Sequence, residues 1–157
     1  MIYPKRCYLD TSVIGGYYDP EFTEATQALF EEIREGKVKG ILSDIVLQEL
    51  EGAPQRVRDL VEEGSGTSWE PVRESDESLS LAREYLEKGV VGKKFVDDCR
   101  HVALATVERA DILLSWNYRH IVHYDKIRLF NAVNLIKGYD TLEIRTPAEV
   151  VDYGERI

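Results

Sequence analysis

A chain of 157 residues with 43% apolar and 10% aromatic side chains is long enough for one full core, since domains of this size bury about two-thirds of their unfolded surface. No apolar run approaches the roughly 20 residues of a membrane helix, and the start "MIYPKRCYLD" carries charge inside a short apolar segment, unlike a signal peptide. A net charge of −9 argues against nucleic-acid binding through a broad basic surface, because such binding scales with the phosphates neutralised; a nucleic acid substrate and a basic partner protein both remain compatible with it.

These bounds lead to the expectation of a single domain over residues 1–157, in the cytoplasm, with no membrane contact. Cys7 and Cys99 both fall in predicted core elements, so buried free thiols are expected rather than a disulfide.

Arg6 to Leu9 reads as a first strand. Phe22, Ala25, Leu29 and Ile33 recur at helical spacing from Phe22 to Glu35, and Gly36 stops that helix. "VKGILS", Val38 to Ser43, is a second strand, and "DIVLQELEG", Asp44 to Gly52, is a short helix capped by Asp44 or Ser43. Pro54 suits the first turn of a further helix running to Glu63. "GSGTSWEPV" holds a turn and a short strand, Thr67 to Glu70, after which Ser75 caps a helix with Leu79, Ala82 and Leu86 as its apolar face. Gly89 and Gly92 end it. "FVDDCRHVALATVERA" is helical, "DILLSW" is an apolar strand from Asp111 to Ser115, and "DKIRLFNAVNLIKG" is a helix closed by Gly138. "TLEIRT" is a last strand, and Pro147 opens a short terminal helix.

Strands separated by helices, and apolar rather than alternating, call for a parallel sheet covered on both faces. Ligand sites in such sheets lie beyond the carboxyl ends of the strands. Candidate residues therefore sit just after a strand or in the helix that follows: Asp10, Glu49, Asp97 and Asp98, and Asn117. Each has a bland local role. Asp10 suits an Asx-turn or a cap, Asp97 and Asp98 complement a helix dipole, and Glu49 alone suits a solvated helix face. Brought to one edge, however, carboxylates raise each other's pKa unless a cation neutralises them. Oxygen-only ligands select Mg²⁺ or Mn²⁺ over zinc, and the chemistry suited to those ions is phosphodiester hydrolysis by metal-activated water.

Other motifs weigh less. His120 and His123 have i, i+3 spacing, and His101 follows Asp98 by three, but the helical zinc-protease pattern is lacking; His101 is expected to partner Asp97 or Asp98. Arg119 and His120 suit either an RNA phosphate contact or a solvated loop. Gly15-Gly16 reads as a turn at the site mouth, with Tyr17 and Tyr18 either core-packed or stacked on a base. No Ser-His-Asp or Cys-His set has supporting order or spacing.

Four blocks in order, "YLDTSVIGGYYD", "SDIVLQELEG", "FVDDCRHVALAT" and "ADILLSWNYRHI", resemble the PIN-domain family, especially the VapC-type ribonuclease toxins of prokaryotic toxin–antitoxin pairs. The resemblance implies a PIN-like three-layer α/β/α sandwich with a central, mainly parallel sheet, and a Mg²⁺- or Mn²⁺-dependent endoribonuclease. It implies metal ligation by Asp10 and Asp98 and a catalytic set of Asp10, Glu49, Asp98 and Asn117. It also implies that Thr11 and Ser12 line the site, and Asp97 and His101 are further candidates for supporting it. The family pattern has Asp where this chain has Asn117, and the loss of that charge implies a weaker hold on a second ion. An RNA substrate, an antitoxin protein and the homodimer common in the family are the implied partners. The rival readings are a PIN-fold binding or regulatory module with weak or no activity, and a metal-dependent phosphatase or DNA nuclease using the same acids.

Overall fold

The computed structural model describes residues 3–152. Its strands are β1 (Lys5–Leu9), β2 (Val38–Ser43), β3 (Trp69–Val72), β4 (Ile112–Leu114) and β5 (Glu143–Arg145). They form one sheet in the order β3-β2-β1-β4-β5, and every pairing is parallel. Parallel neighbours need a crossover across a face of the sheet. Those crossovers carry α1 (Thr11–Gly16), α2 (Thr23–Arg34), α3 (Asp44–Glu49), α4 (Gln55–Arg58), α5 (Asp76–Glu87), α6 (Val96–Val107) and α7 (Tyr124–Ile136), and α8 (Pro147–Val150) follows the last strand.

Side-chain alternation along the strands sorts the core into two layers. Tyr8, Ile41, Leu113 and Ile144 pack with Leu81, Tyr85, Val102 and Phe130 of α5, α6 and α7. Cys7, Leu9, Leu42 and Leu114 pack on the other face with Val13, Leu29, Phe30 and Val57 of α1, α2 and α4. The result is the expected three-layer α/β/α sandwich, with the sheet wholly parallel. Leu104, Leu113 and Leu114 are fully buried, each burial contributing about 1.5–3 kcal/mol. Cys7 and Cys99 are buried free thiols, and burial pushes both thiols up to about 12. Among the described residues no helix is long and apolar enough to cross a membrane.

Four expectations need correction. The stretch after Asp10 is the helix α1, not a turn: neither Gly15 nor Gly16 has positive φ, and Gly16 is there for close packing, since a Cβ would lie 2.9 Å from Trp116 Nε1 and 3.1 Å from Thr26 Oγ1. The third strand extends to Val72 and takes in Pro71, which an edge strand tolerates because one of its sides makes no ladder bonds. The helix expected from Pro54 to Glu63 is the short α4 followed by a three-ten turn, Asp59–Val61. The buried face of α5 is Ser78, Leu81, Ala82 and Tyr85, while Leu79 and Leu86 are half-buried. Ser78 belongs to that face because it completes a capping box with Ser75.

Central β1 is flanked by β2 and β4. The chain winds outward through β2 and β3, then returns to the opposite side with β4 and β5. The loops after β1 and β4 therefore diverge, and the crevice between them is the switch point where such sheets bind ligands.

Candidate active site

Asp10 leaves β1 as the N-cap of α1, its side chain accepting from Val13 N at 3.2 Å. The same oxygen accepts from Ser12 Oγ at 2.6 Å, and its other oxygen accepts from Ser115 Oγ at 2.5 Å. Ser115, at the end of β4, also accepts from Asn117 N at 2.9 Å, while Ser12 Oγ accepts from Trp116 N at 2.9 Å. The two loops of the switch point are thus sewn together through hydroxyls around one carboxylate. Burial raises the pKa of Asp10, opposed by the charge of His101 and by its Ser115, Ser12 and Val13 donors.

Glu49 closes α3, a helix capped by Ser43 through Val46 N. One Glu49 oxygen accepts from Thr11 Oγ1 at 2.6 Å and lies 2.6 Å from His101 Nε2. His101 Nδ1 lies 2.7 Å from Tyr8 Oη, and Tyr8 donates to Ser43 Oγ at 2.8 Å. His101 is therefore the partner of Glu49, not of Asp97 or Asp98 as expected, and it is only 3% exposed. It sits one helical turn beyond Asp98, but its ring reaches inward to the sheet. Burial pushes Glu49 up, but the hydrogen bond and charge of His101, then Thr11 and Arg100, outweigh it and hold Glu49 below its ordinary value.

Asp98 lies in the first turn of α6 and accepts from Asn117 Nδ2 at 3.2 Å. Burial is the largest influence on it, and with the charges of Asp10, Glu49 and Asp97 it outweighs the opposing charge of His101, so the carboxyl is pushed up to about 6. Asn117 spends its carbonyl oxygen on the next turn, accepting from Arg119 N at 3.2 Å and His120 N at 3.0 Å. It turns its amide nitrogen, not an oxygen, toward Asp98. Asp97 points away, paired with Arg100 at 2.9 Å, and Arg100 also grips Glu74 through two bonds.

The structure thus brings Asp10, Thr11, Ser12, Glu49, Asp98, His101 and Asn117 to one edge and leaves Asp97 at its margin. Sequence reasoning missed Ser115 and Tyr8. Ser115 ends an apolar strand at the same edge as Asp10, a signal available in "LLSW"; Tyr8 carried none, since it reads as strand core. The His120 and His123 pair forms no helical site: both lie ahead of α7, and the His120 ring packs on Phe95 at 3.7 Å between centroids. Tyr17 is packed against Phe30. Tyr18 packs against Tyr17 and the same core layer, with the Arg56 guanidinium 4.6 Å from its ring, and lines an open groove of about 640 Å³ that includes Thr11 and Glu49. A second cavity, about 320 Å³, is lined by Arg109, Asp111 and Tyr139 and lies at the opposite edge, where Asp111 has a structural role in accepting from Arg6 N.

No group of three or more His, Cys, Asp or Glu side chains among the described residues is close enough to hold one metal ion. The acids are instead separately bonded to hydroxyl, imidazole and amide donors. The donor set still fits a hard divalent cation in kind: oxygen ligands only, with Asp10 and Glu49 both raising Asp98, a repulsion that a cation relieves.

No protein-family model and no curated protein sequence matches the chain. Solved structures do. Their likeness shows the fold, and the chain has the PIN-like α/β/α architecture. One neighbour is FitAB bound to an IR36 DNA fragment, at 14% identity and TM-score 0.60, covering 94% of this chain and 99% of that one. FitAcB from Neisseria gonorrhoeae matches at 15% identity and TM-score 0.58, over 92% of this chain and 99% of its own. VapBC2 from Rickettsia felis, bound to a fragment of promoter DNA, matches at 16% identity and TM-score 0.55, over 90% and 98%.

Proposed function

We propose that the chain is a Mg²⁺- or Mn²⁺-dependent endoribonuclease that acts as the toxin of a toxin–antitoxin pair. The observation that carries this reading is the convergence of Asp10, Glu49 and Asp98 at the switch point, with Asp98 pushed up to about 6. Asp10 and Asp98 are the residues that would hold the ion. A bound divalent cation supplies charge neutralisation at a phosphodiester and acidifies water.

The chain's own groups do the rest. Glu49 is ionised at neutral pH and fixed between Thr11 and His101, which suits it to orient an attacking water by accepting its hydrogen bond. Ser12 and Ser115 keep Asp10 from swinging out of line. Asn117 holds Asp98 by donation and, being neutral, adds no further repulsion. The solved neighbours FitAB and VapBC2 are complexes on DNA, in keeping with an antitoxin partner for this chain. α7 leaves Leu129, Leu135 and Ile136 exposed as apolar surface for that partner or a second copy. The orientation of Asn117 also favours a second reading, a PIN-fold binding module, because its oxygen is committed to the backbone.

Cleavage of a mixed RNA pool in Mg²⁺, Mn²⁺ or EDTA separates the two readings. Metal-dependent cutting by the natural chain, lost in Asp10→Asn and Asp98→Asn, is expected. No cutting under any ion by folded, partner-free protein would leave the binding module.

A further inference from the structure

We propose that the start of α6 and the turn after β4 form a phosphate-binding subsite for single-stranded RNA, with Lys94 and Arg119 as its cations and the Phe95–His120 ring pair beside them. This deepens the ribonuclease reading and rests on it.

The need for such a subsite follows from charge. A chain of net charge −9 whose candidate site is a cluster of acids repels a polyphosphate strand, so productive binding requires cations placed beside the acids. Two of the nearby cations are already engaged. Arg100 is bound to Glu74 and Asp97, and Lys126 donates to Val90 O at 2.8 Å. Arg119 differs: it is exposed, its backbone N–H goes to Asn117 Oδ1, and its guanidinium has no protein partner among the described residues. Lys94 is also exposed, with Nζ 5.1 Å from the centroid of the Phe95 ring.

Beside Lys94 the rings of Phe95 and His120 lie 3.7 Å apart at 30°, and the charges of both Arg119 and Lys94 act on His120. Cations around an aromatic surface are the composition that grips single strands, phosphate by charge and base by stacking. The positions are tied to the site by one residue. Asn117 donates to Asp98 and accepts from the backbone N–H of both Arg119 and His120, while Phe95 precedes Asp98 by three residues. A strand held here is held beside Asp98.

The test is binding of a fluorescein-labelled single-stranded RNA pool, followed by anisotropy in EDTA at about 50 and about 200 mM salt. Two doubly substituted chains are compared: Lys94→Ala with Arg119→Ala, and, as a charge-matched control at the amino edge of the sheet, Lys5→Ala with Lys37→Ala. The first pair is expected to weaken binding about tenfold or more and to flatten the salt slope by about 1.4, the value for two contacts on a single strand. The control is expected to match the natural chain, and urea midpoints should be equal for all three, since these side chains are exposed. Equal RNA binding by both doubles, while the natural chain still cuts RNA, would overturn the subsite and leave the nuclease standing. A natural chain that neither binds nor cuts RNA would overturn both. Competition by polyglutamate as strong as by unlabelled RNA would assign the patch to an acidic protein segment and overturn the RNA subsite.

Discussion

Replacing Asp98 by Asn should make the metal-free protein more stable at neutral pH while abolishing its cleavage. In the folded chain the Asp98 carboxyl rises from an ordinary 3.8 to about 6, through burial first and then the charges of Asp10, Glu49 and Asp97, against the opposing charge of His101. A raised acid binds its proton more tightly folded than unfolded. Its contribution to stability is therefore full below pH 3.8 and lost as pH climbs through about 6. By about pH 7.5 that loss amounts to about 3 kcal/mol for a fully shielded group, and to about 1.5 kcal/mol once solvent screening of a half-buried carboxyl is included. Asparagine has no proton to lose, and its carbonyl oxygen can still accept from Asn117 Nδ2, the bond Asp98 makes at 3.2 Å. Urea unfolding in EDTA should thus place Asp98→Asn about 1.5 kcal/mol above the natural chain at about pH 7.5, with the gap closing near pH 4. Mn²⁺ should raise the natural chain's midpoint and leave the variant's unmoved. A variant less stable than the natural chain at neutral pH, or a gap indifferent to pH, would refute the clustering of acids on which the site rests.

Tyr8→Phe leaves His101 Nδ1 and Ser43 Oγ without the hydroxyl between them, so a loss of about 1–3 kcal/mol is expected in urea unfolding, with cleavage reduced because Glu49 loses its fixed neighbour. Gly16→Ala forces a Cβ to within 2.9 Å of Trp116 Nε1 and should lower stability by about 1–3 kcal/mol, whereas Gly15→Ala meets nothing within 4 Å and should gain about 0.5–1 kcal/mol from helix propensity; thermal melts of the pair compare them directly. Asn117→Asp removes the donor to Asp98 and adds a charge, so the melt in EDTA should fall while the upward shift on adding Mn²⁺ grows.

The order of the strands and of most helices was readable because those elements announce themselves locally. Ile41 and Leu42 with Val38 mark the strand Val38–Ser43, Ser75 and Gly138 mark helix ends, and Pro147 opens a last turn. The α1 helix was not readable, because two glycines in a row look like a turn until Trp116, a hundred residues later, takes the space of a missing Cβ. At the site, Asp10, Glu49 and Asp98 were legible as acids that follow strands in a parallel sheet. Their donors were not. Ser115 meets Asp10 across 105 residues, and His101 reaches Glu49 across 52, whereas spacing along one helix suggested only its neighbour Asp98. Nor could the sequence say which end of the Asn117 amide faces inward, since that is decided by the backbone N–H groups of Arg119 and His120.

The bond from Ser115 to Asp10 also sets a schedule for biosynthesis. A ribosome delivers Asp10 and then Glu49 ahead of β4, so β1 has no β4 beside it, and Asp10 no Ser115, until the chain has grown past residue 115. Until then the central strand keeps an open edge along Cys7 to Leu9, the positions that later pair with Ile112 to Leu114. Closing so long a loop is slow relative to local helix formation. The acids of the candidate site therefore come together only once β4 has been made and has paired with β1, and a chain truncated before β4 carries Asp10, Glu49 and Asp98 without the architecture that aligns them.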